Sequence, residues 1–194
     1  EQELEMYHKA MPVDYVLQDL IEYPLEVSVF YYRLPDEKKG TISGFLMKQP
    51  PEVIGDGISK LEELIARNPN LKFKQEEMRE RHKTRLDLVL KEGEQFYLSN
   101  ASNRSQGGKL VNLNSEIDER LLNLFDEISL HTKYFYYGRY DIKCKSVEAL
   151  KNGKDYTILE FNGAGAGIQH VYGNSLSLYE ACKTIYKHWQ QLFR

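Results

Sequence analysis

Four residues near the end of the chain have the types and spacing for chemistry. Arg139 and Asp141 lie in YYGRYDIKC (136–144), and Glu160 and Asn162 lie in ILEFN (158–162). Side chains alternate across a strand, so Arg139 and Asp141 share one face, and Glu160 and Asn162 share another. If the two strands pair as antiparallel neighbours, all four residues meet on one side of a sheet. Tyr140, Ile142, Leu159 and Phe161 are then left to face a core. Two carboxylates and an amide oxygen are hard donors that suit Mg²⁺ rather than Zn²⁺. An arginine beside them would meet a phosphate oxygen. Spacing alone is equally consistent with an Arg–Asp ion pair on a solvated strand face, with Glu160 and Asn162 as turn residues. The NGAGAG run that follows is not a phosphate loop. It contains no Lys-Ser/Thr and no helix start follows it closely, so it reads as a turn bordering a pocket.

The surrounding elements must hold these strands in place. VSVFYYRL (27–34) and TISGFLMK (41–48) are β-branched and aromatic, and PDEKKG between them makes a hairpin. VDYVLQ (13–18) alternates and predicts a short strand. LDLVL (86–90) and QFYLSN (95–100) flank KEGE and predict a second hairpin. ISKLEELIAR (58–67) has helical spacing, with Ser59 and Glu62 as a capping box. Residues 74–85 read as a charge-rich helix or linker, and 101–114 as a polar loop. SEIDERLLNLFDEISL (115–130) predicts an amphipathic helix capped by Ser115, with Leu121, Leu122, Phe125 and Ile128 inward. Residues 175–194 form a closing helix, and EQELEMYHKA an opening one. Hairpins that precede and separate helices define an α+β class with a mostly antiparallel sheet and packed helices.

GRYD followed by ILEFN resembles the terminal strands of the ATP-grasp fold, whose pattern is R-x-D, a hydrophobic run and E-x-N. The resemblance implies that Asp141, Glu160 and Asn162 bind Mg²⁺ and that Arg139 faces the phosphates or the reacting acyl group. VLQDLIEYPLEVSV (16–29) is similar to the family's hinge strand. That assigns Gln18, Asp19 and Leu20 to adenine contacts through the backbone, and Glu26 to the ribose hydroxyls. PPEVIGDGISKLEELI (50–65) looks like a segment of cyanophycin-synthetase-like and bifunctional glutathione-synthetase-like ligases, with Lys48 as the basic residue before it. NRSQGG (103–108) resembles their N-x-S-x-G-G loop, which brings in Asn103 and Ser105. The four matches follow the family's order over roughly residues 13–170. By resemblance, residues 1–194 are the C-terminal part of an ATP-grasp domain. The N-terminal lid, with its strand lysine and glycine-rich loop, and the substrate domain are expected to lie outside this chain. Alone, the chain is then expected to bind ATP poorly and to catalyse nothing.

The implied parent activity is ATP- and Mg²⁺-dependent ligation of a carboxylate to an amine or thiol through an acyl phosphate, as also in D-alanine–D-alanine-ligase-like enzymes. The partners are then nucleotide, small-molecule carboxylate and amine, with a homodimer left open. Composition agrees with a globular protein: 194 residues, 41% hydrophobic and 28% charged, with a net charge of −3. Mixed charge argues against nucleic-acid or membrane-surface binding. The two cysteines, Cys144 and Cys182, have no CxxC spacing and read as reduced thiols of a cytoplasmic protein. Two other functions compete: a non-catalytic interaction module derived from the same domain, and a metal-dependent phosphoesterase using Asp141 and Glu160. The five histidines read as surface or packing residues, with His170 placed where it could reach a substrate.

Overall fold

The structure, a computed structural model, describes residues 2–102, 107–172 and 176–193. Its elements are α1 (Gln2–Ala10), β1 (Leu25–Tyr32), β2 (Thr41–Gln49), β3 (Glu52–Ile54), α2 (Leu61–Arg67), α3 (Gln75–Arg81) and β4 (Gln95–Tyr97). There follow β5 (Lys109–Asn112), α4 (Glu119–Thr132), β6 (Tyr137–Cys144), α5 (Val147–Lys151), β7 (Tyr156–Asn162) and α6 (Leu178–Leu192). Five strands form one sheet in the order β5-β2-β1-β6-β7, and every neighbour pair is antiparallel. The fold class is therefore α+β, as the hairpin pattern predicts.

Period-two alternation makes this sheet two-faced. Val27, Val29 and Tyr31 of β1, Phe45 of β2, and Tyr140, Ile142 and Cys144 of β6 point to one side. Leu121 and Phe125 of α4 and Leu150 of α5 close over them. The inward stripe of α4 matches its apolar spacing, and Leu122 and Ile128 pack at its margins. The cap differs from expectation. Ser115 sits in a short 3-10 turn, and Asp118 caps the helix by accepting from the Leu121 amide at 3.0 Å.

A second cluster gathers Val53, Leu61, Ile65, Leu71, Met78, Leu90 and Leu98 beneath the β3–β4 ladder. Here the predicted second hairpin does not form. QFY of β4 pairs with β3, and residues 86–90 contribute one isolated bridge, Lys60 to Val89. Only Leu90 of that stretch turns fully inward, so the run has no apolar face to set a ladder register. The start of α2 also shifts. Glu63 accepts from the Lys60 amide at 3.0 Å, while the Ser59 hydroxyl donates to Asp56 at 2.7 Å. Asp56 also accepts the Ile58 and Ser59 amides, which makes it the turn residue before the helix. Within residues 74–85, α3 is the helical part and buries Met78. VDYVLQ is not a strand. It runs exposed and outside both sheets, next to α1, which buries no side chain.

Candidate functional site

The face of the sheet away from α4 carries the polar residues. Cross-strand register puts Glu26 opposite Lys48 and Lys143, Ser28 opposite Asp141, Asp141 opposite Glu160, and Arg139 opposite Asn162. Four neighbouring strands thus bring Glu26, Ser28, Lys48, Arg139, Asp141, Lys143, Glu160 and Asn162 together. A β-bulge between β6 and β7 refines the expected pattern. Asp141 pairs with Glu160, but Ile142 pairs with Ile158, so Leu159 is the extra residue. Phe161 packs inward against Tyr140 and Phe135, as its alternation predicts. Leu159, expected in the core, is 40% exposed, and Ile158 takes its place against the core.

Asp141 is the centre of the site and is 3% exposed. Its Oδ1 accepts from Ser28 Oγ at 2.7 Å and Arg139 Nε at 3.1 Å, and lies 3.0 Å from Lys48 Nζ. Its Oδ2 accepts from Arg139 Nη2 at 3.1 Å and Asn162 Nδ2 at 3.2 Å. Lys48, itself buried, also reaches Glu26 Oε1 at 3.2 Å. Burial by itself would raise the Asp141 carboxyl. Hydrogen bonds from Arg139 and Ser28, and the charge of Lys48, more than offset that and hold it down at about 2. Asp141 is therefore a committed anion, neutralised by two cations in a dry layer.

The Asn162 amide spans the two carboxylates. Its Nδ2 donates to Glu160 Oε1 at 2.8 Å as well as to Asp141 Oδ2. A donor already lies between two carboxylate oxygens, where a divalent cation would draw them together. A half-turn of the amide presents its oxygen to the same point. Two carboxylates and an amide oxygen within reach of one another fit Mg²⁺. Among the described residues, no three His, Cys, Asp or Glu side chains form a metal cluster. The candidate metal site is thus this two-carboxylate and amide set.

Arg139 is largely committed. Besides its two bonds to Asp141, its Nη1 donates to the Gly167 carbonyl at 3.0 Å, which ties the 163–168 turn back to β6. Beside Glu26 and Lys48 opens a cavity of about 430 Å³, whose walls include Leu20, Glu22, Tyr97, Ser102 and Lys143. Lys143 Nζ donates to the Ile21 carbonyl at 3.0 Å and straps the hinge segment to the sheet. Of the expected hinge contacts, Leu20 lines the cavity, while Gln18 and Asp19 are exposed outside its lining. Asn103 and Ser105 lie outside the described residues. Their flanks are fixed close by: a side chain on Gly108 would collide with the Ser102 carbonyl, and Ser102 faces the cavity.

Ser28 and Lys143 escaped the sequence reading. The signal was present, since each lies two residues from a chosen site residue on the same face. His170 is not at a substrate position. It is 4% exposed, its ring fills the space a side chain on Gly44 would need, and it packs on Phe30 and His188. Burial pushes His170 down to about 4, helped by His188, and burial alone does the same to His188. The Cys144 thiol is buried and raised to about 11 by that burial, whereas Cys182 is exposed; neither is in a disulfide.

No protein-family model matches the sequence, and no curated protein matches it either. The fold does have solved counterparts. The crystal structure of a bifunctional glutathione synthetase from Pasteurella multocida superposes with a TM-score of 0.59 at 17% sequence identity. The match covers 87% of this chain and 24% of that one, so the chain spans about a quarter of that protein's length. The architecture is ATP-grasp-like, in agreement with the strand motifs. Among the described residues no helix is long and apolar enough to cross a membrane.

Proposed function

We propose that this chain is the ATP- and Mg²⁺-binding segment of a ligase that joins a carboxylate to an amine or thiol. The observation that supports it best is the register of four strands. It places Glu26 and Lys48 at a cavity and Asp141, Glu160 and Asn162 beside it on one sheet face. Gln18, Asp19 and Leu20 belong to the hinge that would meet the adenine, and Glu26 would take the ribose hydroxyls. Asp141, Glu160 and Asn162 would hold Mg²⁺, which would offset negative charge on the nucleotide's phosphates. Lys48 reaches both Glu26 and Asp141 and lines the cavity, where it would meet a phosphate oxygen. Arg139 keeps Asp141 ionised and oriented, and through Gly167 holds the turn that borders the acceptor side. Asn103 and Ser105 would hold the transferring group. In the overall reaction the carboxylate takes the γ-phosphoryl group, ADP leaves, and the amine or thiol then displaces phosphate from the acyl phosphate.

The test is Mg²⁺-dependent ATP binding by the native polypeptide that carries this chain, measured by calorimetry. Asp141→Asn and Glu160→Gln should each weaken Mn²⁺ uptake in the presence of ATP by at least about 100-fold, more than loss of an outer-shell partner costs. Unchanged uptake in both variants would sink the metal assignment. A non-catalytic module is the second reading, favoured by the protein donors that already engage both oxygens of Asp141. It predicts no ATP binding even by the unaltered native polypeptide.

A further inference from the structure

The partners of Asp141 are unevenly divided between its two oxygens. Oδ1 faces three donors: the Ser28 hydroxyl at 2.7 Å, Lys48 Nζ at 3.0 Å and Arg139 Nε at 3.1 Å. Oδ2 has two, Arg139 Nη2 at 3.1 Å and the Asn162 amide at 3.2 Å, which makes the Asn162 bond the longest of the set. Only the Asn162 donor can be exchanged without breaking the layer, because turning that amide replaces its nitrogen with its oxygen. Oδ2 is therefore the oxygen that can meet a cation shared with Glu160 and Asn162. Oδ1 is locked away from it.

Ser28 is the shortest of the Oδ1 donors and the one neutral donor among them. It is 2% exposed and sits on the central strand, bonded on one side to β2 and on the other to β6 directly across from Asp141. Arg139 grips both oxygens and fixes the carboxylate plane, and Lys48 divides its ammonium between Asp141 and Glu26. Ser28 is the donor that bonds Oδ1 without also engaging Oδ2 or Glu26. We propose that Ser28 is a positioning residue that pins Asp141 Oδ1 and thereby presents Oδ2 alone to a divalent cation. This rests on the metal site proposed above. It adds that the hydroxyl in β1, acting through Asp141, sets the affinity for the ion.

The experiment uses the native polypeptide, Mn²⁺ as the probe, and free Mn²⁺ read by electron paramagnetic resonance with ATP present. Ser28→Ala should weaken Mn²⁺ binding about 10-fold, the low end for losing an outer-shell partner of a metal ligand. Ser28→Thr keeps the hydroxyl and a strand-compatible side chain, and should stay within about 2-fold of the unaltered protein. Circular dichroism melts without metal check that each variant is folded. A folded Ser28→Ala protein that binds Mn²⁺ as tightly as the unaltered one overturns the inference while leaving the metal site standing. So does a folded Ser28→Thr protein that loses affinity as much as the alanine variant, because packing rather than the hydroxyl would then matter. If Ser28→Ala does not fold, Ser28→Cys, a weaker donor of similar size, replaces it, and a folded cysteine variant with undiminished Mn²⁺ affinity overturns the inference. If the unaltered polypeptide takes up no Mn²⁺, the proposed function falls and this inference with it.

Discussion

Acid should loosen this protein well above the pH at which its carboxylates protonate, because two histidines are buried neutral. His170 and His188 pack against each other with ring centroids 5.2 Å apart and are 4% and 2% exposed. Nε2 of each lacks a hydrogen-bond partner, so neither ring has an acceptor there to stabilise a charge. Phe30, Tyr32 and Tyr137 surround His188, with the Tyr137 hydroxyl 2.9 Å from its Nδ1, and Arg139 lies near His170 across a narrow gap. Both folded pKa values fall from the ordinary 6.5 to about 4. The unfolded chain then binds more protons between pH 6.5 and 4, so stability falls as pH drops through that window and levels off below it. A drop of about 2.5 units corresponds to about 3 kcal/mol per histidine. One such histidine is already a sizeable part of the whole stability of a small domain. Urea titrations at several pH values between 7.5 and 4 would measure this. His170→Phe keeps a ring against Phe30 and Gly44 but cannot titrate, and should remove about half of the fall. A stability that is flat from pH 6.5 to 4.5, or a fall unchanged in His170→Phe, would refute the reasoning. Asp141 does not confuse the result, because its depressed pKa moves its own loss of stability to between about pH 4 and 2.

Two more outcomes follow from the packing. Phe125→Ala should cost about 3–5 kcal/mol in urea unfolding, since the side chain is fully buried between Tyr31 and Tyr140 and little can collapse into the gap. Lys48→Met removes the cation shared by Asp141 and Glu26 and should destabilise the protein by about 3 kcal/mol, the lower range for breaking a buried ion pair, since Asp141 keeps Arg139 and Ser28. A shift below about 1 kcal/mol would mean that Arg139 alone balances Asp141.

Local pattern alone was enough for the elements that carry the site. β-Branched and aromatic content specified the strands at 27–34 and 41–48, alternation specified the two faces of 136–144, and apolar spacing specified the inward stripe of α4. Burial on one side makes such registers strongly determined. The meeting of Arg139, Asp141, Glu160 and Asn162 on one face was also legible once antiparallel pairing is assumed, but the register that sets Asp141 opposite Glu160 was not, because a shift of two residues keeps the same faces together. What the sequence could not reveal is what depends on neighbours remote in the chain. LDLVL and VDYVLQ look like strands yet find no edge, and β3 takes β4 as its partner instead. The bulge at Leu159 arises only once β6 and β7 are in register and Ile158 is drawn to the core. His170, in a polar and glycine-rich loop, reads as accessible until α6 and Gly44 enclose it. The division of donors between the two oxygens of Asp141 belongs wholly to tertiary structure. Ser28 and Asp141 are 113 residues apart, and only strand pairing brings a hydroxyl 2.7 Å from that carboxylate.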